Sequence, residues 1–168
     1  RAEGTRVALI GAGYIGVELA EAFANRGAKV TMLEAGDQAI LRLPADLADD
    51  LRAGIEGIGV ELRTGAAVQA IEADRVTTDD GEYPADLVVL GLGVAPNTDL
   101  AVRAGLETGP KKGIVTDDRQ RTSVEGVFAA GDCCVARHRI SGELAYVPLG
   151  TTANRQGRVA GTNLGGGD

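Results

Sequence analysis

Gly11, Gly13 and Gly16 fall within the run Gly11-Ala12-Gly13-Tyr14-Ile15-Gly16, and Glu34 follows at about the twentieth residue beyond them. At that spacing glycines do their chemistry with backbone. Gly11 permits a tight turn, Gly13 lets backbone N–H groups come close to a pyrophosphate, and Gly16 lets a following helix pack closely on a preceding strand. The start of that helix offers unpaired N–H donors and the positive end of its dipole to phosphate oxygens. Glu34 supplies the acceptor that a ribose diol needs. A lone glycine run is weak evidence, in a chain with 25 glycines among 168 residues most of all, and Glu34 alone could be a solvated acid at a strand end. The flanking elements decide the matter.

Residues 7–10 are a short apolar run, as a strand entering the turn requires, and Ile15, Leu19 and Phe23 recur at helical spacing after it. Residues 29–33 read as a second apolar strand that ends on Glu34. Strand, glycine turn, helix, strand and terminal acid together form the context the motif demands. A polar connection with Gly36 and Pro44 leads to a helix expected from Ala45 or Asp46 to about Gly57, carried by Leu47, Leu51 and Ile55 and capped by Asp46. Residues 60–63 read as a strand. Alternation over residues 67–85, turning at Asp79-Asp80-Gly81, predicts a small antiparallel meander where a plain doubly wound domain carries a helix. The unbroken apolar run Leu87-Val88-Val89-Leu90 predicts a central parallel strand.

The second glycine turn, Gly91-Leu92-Gly93-Val94-Ala95-Pro96-Asn97, follows that strand directly. By position it lies on the ligand edge of a parallel sheet, although Pro96 and Asn97 would suit an ordinary loop equally well. A short helix is expected near residues 99–104, strand-like pieces at 113–117 and 126–132, and a last helix over 149–164 behind Pro148, Gly150 and Thr151. No repeat or low-complexity tract interrupts the chain.

A formal charge of −7 argues against a nucleic-acid or anionic-membrane surface, because those partners need clustered Lys and Arg. The longest apolar run, residues 87–95, falls well short of the roughly 18 residues that span a bilayer. No secretory-signal pattern opens the chain, and its start at Arg1 without Met suggests that it was cut from something longer. Cys133 and Cys134 are adjacent, at a Cα spacing of about 3.8 Å that lies below the usual disulfide range. They read as small core thiols, consistent with a reducing, cytoplasmic compartment. His138 is the sole histidine and reads as a solvated loop residue between Arg137 and Arg139. Neither a catalytic triad nor an imidazole metal cluster has much to draw on, and no metal site is expected.

Taken in order, residues 11–16, 91–97, 122–132 and 148–157 closely resemble the FAD-dependent pyridine nucleotide-disulfide oxidoreductases. Residues 147–167, VPLGTTANRQGRVAGTNLGGG, look most like the NADH oxidase, NADH peroxidase and coenzyme A-disulfide reductase branch. The resemblance implies an α/β fold: a Rossmann-like parallel sheet with a β-meander crossover over residues 1–112 that binds NADH, and over 113–168 an incomplete second FAD/NAD(P)-binding domain. Gly11, Gly13, Ile15 and Gly16 match the NADH pyrophosphate turn, Glu34 the ribose acid and Gly93 the glycine on the nicotinamide side. Tyr14 matches the aromatic that covers the flavin face until nicotinamide displaces it, though from the residue alone it could be a packing aromatic. Glu18 matches an acid paired with a lysine beside the flavin. Gly131 and Asp132 match the FAD ribitol site, where an Asp could otherwise serve as a cap. Leu149 and Thr151 match the helix start whose dipole faces the flavin pyrimidine carbonyl.

The family's own FAD fingerprint, redox cysteine and interface domain have no counterpart in these residues. The expected function is therefore the NADH-binding part of a flavoenzyme that passes hydride from NADH to FAD and on to a disulfide, peroxide, oxygen or persulfide. The longer protein is expected to be a homodimer, and this chain alone inactive. A self-sufficient dehydrogenase would need an acid/base set that the sequence lacks. A noncatalytic dinucleotide sensor would not need Asp132 at the end of GVFAAGD.

Overall fold

Every position from Val7 to Ile10 of the first strand, β1 (Arg6–Ile10), is buried, because β1 has neighbours on both edges and cover on both faces. The computed structural model describes residues 3–167. These divide into two compact units, one ending at Gly93 and the other beginning at Val94. The elements of the first unit are β1, α1 (Tyr14–Ala24), β2 (Lys29–Glu34), α2 (Ala45–Gly57), β3 (Glu61–Thr64), β4 (Val68–Ile71), β5 (Arg75–Thr78), β6 (Glu82–Pro84) and β7 (Leu87–Leu90).

Strands β3, β2, β1 and β7 form one parallel sheet in that order, with Ala8 opposite both Thr31 and Val88. Side-chain alternation along β1 divides the core. Val7 and Leu9 join Val30, Met32, Leu62 and Ile55 under the helices, with Leu19, Phe23 and Leu51 packed against them. Ala8 and Ile10 turn to the opposite face with Leu33, Ala66, Val76 and Ala85 beneath the meander β4–β5–β6. Leu9 is wholly buried, so Leu9→Ala would cost about 2–5 kcal/mol.

The expected helical stripes hold at Leu19, Phe23, Leu51 and Ile55 and fail only at their first members, Ile15 and Leu47. Gly16 and Ala20 are the buried positions of α1 and Ile15 is exposed, because a glycine at the contact draws the backbone itself toward the sheet. In α2 the inner stripe is Ala48, Leu51 and Ile55, with Leu47 exposed. Asp46 does not cap α2: the N-cap is Pro44, and Asp46 lies in the first turn, where its charge still complements the helix dipole. The meander and its turn at residues 79–81 form as expected. Strand β7 corrects its central placement. Among the described strands it pairs only with β1, and Leu87 and Leu90 at its ends are exposed. An apolar run signals that a strand is suited to burial without fixing which neighbours supply the cover.

The second unit contains α3 (Asp99–Arg103), a 3-10 turn (Pro110–Lys112), β8 (Ala136–Arg137), β9 (Leu144–Ala145) and α4 (Gly150–Leu164). The strands expected at 113–117 and 126–132 are absent from it. Ile114 makes single bridges to Thr108 and Cys134, and Phe128 one to Arg121. A strand exists only as part of a ladder, and within this unit those residues meet isolated partners. Cys134 is buried, Cys133 is half-buried, and neither is in a disulfide. His138 is exposed and bonds Ser141 at 2.9 Å through Nδ1.

Arg6 clamps the base of β7. Its backbone N–H and Nε donate to Asp86 Oδ2 at 2.9 and 3.0 Å, and these contacts hold the Asp86 carboxyl down at about 2 from an ordinary 3.8. Because the folded value is depressed, this contribution to stability is complete above about pH 4 and is lost as pH falls through about 2. Both side chains are near half exposed, so salt weakens the effect. Urea melts across that interval should show Asp86→Asn with a flatter acid limb than the parent. Parallel limbs would remove Asp86 as the titrating group.

Candidate functional site

The order β3-β2-β1-β7 reverses direction at β1, and in open parallel sheets the crevice beyond the carboxyl ends at such a reversal is where ligands bind. Both glycine turns leave from that point. Gly11 follows β1 and Gly91 follows β7, tied by Gly11 N–H to Leu33 O at 2.8 Å and Gly91 N–H to Ile10 O at 2.7 Å. Gly11 has φ +98, and a Cβ there would stand 2.5 Å from Gly91 O, so two bare backbones are in contact. Gly16 is equally closed: its Cβ would lie 2.2 Å from Gly11 O. Gly13 differs. Its backbone is extended, and a Cβ would meet nothing within 4 Å, which leaves open space directly before α1.

That space opens on a cleft of about 710 Å³ lined by the first turn, by Glu34, by residues 40–42 and by residues 90–93. All of it lies within the first unit. Helix α1 starts at Tyr14 with no side-chain cap and no acid in its first turn, and its first loop closure is Val17 N–H to Gly13 O at 3.0 Å. The preceding amides, those of Tyr14, Ile15 and Gly16, have no partner within the helix. An anion at Gly13 would complete them. Glu34 is held in place by both oxygens, Oε2 accepting from Ala12 N–H and Oε1 from Gly36 N–H, each at 2.8 Å. Each oxygen retains lone-pair capacity for a ribose hydroxyl.

Tyr14 is 65% exposed and lines the cleft, so it does not pack beneath the sheet. Glu18 is exposed and makes no ion pair among the described residues. Gly93, φ +82, joins the same cleft. Sequence reasoning missed Arg42. The loop after β2 folds back through Ile40 N–H to Ala12 O at 2.9 Å, which brings Arg42 to the cleft, where it is the sole cation among the lining residues. Its only signal was a basic residue a few positions beyond the acid, and nothing in the loop's composition predicts its return.

In the second unit, Gly131 meets the first two turns of α4. Gly131 N–H donates to the buried Gln156 Oε1 at 2.9 Å, and a Cβ on Gly131 would be 3.9 Å from Ala153. Leu149 is the extended N-cap residue of α4, Thr151 is exposed in the first turn, and no acid occupies that turn. Asp132, next in the chain, is exposed. A carboxylate acceptor and the open amide donors of a helix N-terminus fit the hydroxyls of a ribitol and the carbonyl edge of a flavin pyrimidine. Gln156 carried no functional sequence signal, since a buried amide in a polar helix resembles any surface glutamine. Burial pushes the Tyr146 hydroxyl upward, with smaller contributions from Asp132 and Cys133.

Residues 1–157 match the sequence profile of the pyridine nucleotide-disulphide oxidoreductases. The chain belongs to that family. An NAD(P)H coenzyme A polysulfide/persulfide reductase of Pyrococcus horikoshii is 41% identical over 165 residues, covering 95% of this chain and 37% of the relative. An NADH oxidase of Streptococcus pyogenes is 35% identical over 97% of the chain and 37% of its own length. Among solved structures, a NAD-dependent persulfide reductase from A. fulgidus superposes with a TM-score of 0.91 at 37% identity, covering 98% of this chain and 31% of that one. The water-forming NADH oxidase from Lactobacillus brevis, bound to NADH, gives 0.88 at 38% identity over 96% and 37%. The chain thus spans little more than a third of the curated relatives it matches. Among the described residues no helix is long and apolar enough to cross a membrane.

The glycines separate fold from ligand binding. Gly16→Ala should destabilise the chain by about 1–3 kcal/mol through overpacking. Gly13→Ala should stay within about 0.5 kcal/mol of the parent, as exposed changes do, while weakening dinucleotide binding. Urea midpoints paired with NADH titration check both, and equal destabilisation by the two variants would contradict the assignment.

Proposed function

We propose that residues 1–112 hold NADH and that residues 113–168 supply one side of an FAD site, within a flavin-dependent oxidoreductase that delivers reducing equivalents to a disulfide, peroxide, oxygen or persulfide. One observation carries the dinucleotide half of this reading: the open amides of α1, the fixed carboxylate of Glu34 and the Gly91–Gly93 turn all face one cleft. In it the α1 amides bind pyrophosphate, Glu34 binds the adenosine ribose diol, and Gly93 leaves room on the nicotinamide side. Tyr14 stands at the mouth and excludes water from the flavin side. Glu18 is positioned on the same helix to pair with a lysine. On the flavin side, Gly131 gives Asp132 its place at the ribitol, and Leu149 and Thr151 set the helix start against the pyrimidine edge. Bound flavin supplies the hydride acceptance that none of these side chains can. The division at 112/113 is one of cofactor, distinct from the compact-unit boundary at Gly93. A cytoplasmic homodimer is the assembly that this reading favours for the longer protein, with no nucleic-acid or membrane partner.

The nucleotide should be NADH. A 2′-phosphate would set a second anion against the Glu34 carboxylate and take away the hydroxyl its free lone pairs would accept from, and Ala35, Gly36 and Asp37 offer that phosphate no cation. Arg42 on the cleft wall moderates this repulsion without removing it, since its guanidinium is exposed. We expect NADH to bind more tightly by about 1–3 kcal/mol, and Glu34→Ala to narrow that gap, by fluorescence titration of both nucleotides. Equal affinities in the parent would remove the ribose role. The 168-residue chain incubated with FAD and NADH and then desalted should hold NADH sites yet retain no flavin absorbance and consume no NADH. Retained flavin with steady NADH oxidation would show that the chain encloses a complete flavin site.

A further inference from the structure

Arg137, His138, Arg139 and Arg155, with Thr152, line a concavity of about 500 Å³ that lies wholly within the second unit. No carboxylate is among its lining residues, in a chain whose 24 Asp and Glu outnumber 17 Lys and Arg. The contrast with the first unit is direct. There Arg6, Arg52, Arg63 and Arg75 each have an Asp or Glu partner, whereas among the described residues Arg137, Arg139 and Arg155 have no ion-pair partner. Three guanidiniums gathered around one hollow repel one another, and an anion in the hollow would reverse the sign of that interaction.

The fold holds this arrangement in place. Strands β8 and β9 pair Ala136 with Ala145 and Arg137 with Leu144, and the turn between them is closed by His138 N–H to Glu143 O at 2.8 Å and Gly142 N–H to His138 O at 2.7 Å. Arg137 Nη1 donates to Gly142 O at 2.6 Å, which fixes one guanidinium on the turn. Ser141 N–H donates to His138 Nδ1 at 3.2 Å, so that nitrogen is the acceptor and the ring proton is left on Nε2 as a further donor. Thr152 and Arg155 stand three residues apart on one face of α4, whose first turn holds no acid. The site is separate from both cofactor sites above: Asp132, Leu149 and Thr151 are outside its lining, and the dinucleotide cleft belongs to the first unit.

Charge and shape select the ligand. A planar guanidinium presents paired N–H donors that match two phosphate oxygens. One phosphate monoester carries about −1.5 to −2 and would leave three guanidiniums short of neutral, whereas two linked phosphates balance them. Ile140 and Val147 add exposed apolar surface to the lining, which an organic group on the diphosphate would cover. The volume falls within the roughly 300–1,000 Å³ of small-molecule sites.

We propose that this hollow binds an organic diphosphate of the nucleoside diphosphate class. Arg137, Arg139 and Arg155 take the phosphates, Thr152 Oγ1 and His138 Nε2 add neutral donors, and Ile140 and Val147 meet the organic part.

The test titrates the isotope-labelled 168-residue chain with ADP, following amide chemical shifts and calorimetry. ADP could also enter the dinucleotide cleft, so the titration is repeated with NADH in excess. Shifts should move over residues 136–140, 145–147 and 152–155 and persist when NADH is present. Replacing two exposed arginines together, Arg139→Gln with Arg155→Gln, should weaken binding at this site about tenfold or more, and AMP should bind the parent about tenfold more weakly than ADP. Far-UV circular dichroism reports the fold of the double variant, and Arg155→Gln alone carries the comparison if that variant fails to fold. ADP shifts confined to the first unit, or a folded variant that binds ADP as tightly as the parent, overturn the site. AMP matching ADP overturns the diphosphate assignment.

Discussion

The contact of Gly11 with Gly91, backbone on backbone, is the constraint on which the rest of the first unit depends. Strands β1 and β7 can run side by side and still discharge their chains into one crevice only if the first turn carries no side chain at the crossing, since a Cβ on Gly11 would stand 2.5 Å from Gly91 O. Gly16 extends the same constraint one step further. With its Cα drawn against Gly11, the first turn of α1 comes down onto the end of β1, and the open amides of the helix point at the crevice. Placement of donors thus follows from steric exclusion. No polar side chain is needed to aim them.

Glu34 links this turn to the neighbouring strand. Its carboxylate bonds Ala12 N–H within the glycine turn and Gly36 N–H after β2, so the acid that would read a ribose also ties two loops together. A residue in both roles is rigid before any ligand arrives, and rigidity at a binding group lowers the entropy lost on binding. It also means that Glu34→Ala alters the loop as well as the ligand contact, which makes the difference between NADH and NADPH more informative than either affinity alone.

Much of the first unit was legible because its signals are local. A strand entering a glycine run, a helix leaving it and an acid at the next strand's end are set by short-range sterics and periodicity, and they appear where the sequence places them. The failures share one cause. The apolar runs at β7 and at 126–132 identify segments suited to a sheet, but the partners that make a strand central, or make it a strand at all, are long-range facts. The exposed Ile15 and Leu47 show the same limit at the helix starts, where Gly16 and Ala48 are buried instead, while Leu19, Phe23, Leu51 and Ile55 pack as expected. Arg42 stayed hidden because the backbone bond from Ile40 to Ala12 returns its loop to the cleft, and a backbone bond leaves no trace in residue type.

A chain of net charge −7 would have to take up anionic cofactors against its own overall field. Long-range steering cannot supply the attraction: beyond about 8 Å at physiological ionic strength the field of separate surface charges is screened. What remains is short-range. The helix start at Tyr14 offers amide donors and a partial positive charge within contact distance of the open space at Gly13, and Arg42 stands on the same wall. Glu34 is the one acid among the lining residues, held by backbone N–H groups on both oxygens. The cleft is therefore locally receptive to phosphate despite the overall charge, and in the proposed binding mode its acid would repel a phosphate only where a ribose hydroxyl should be.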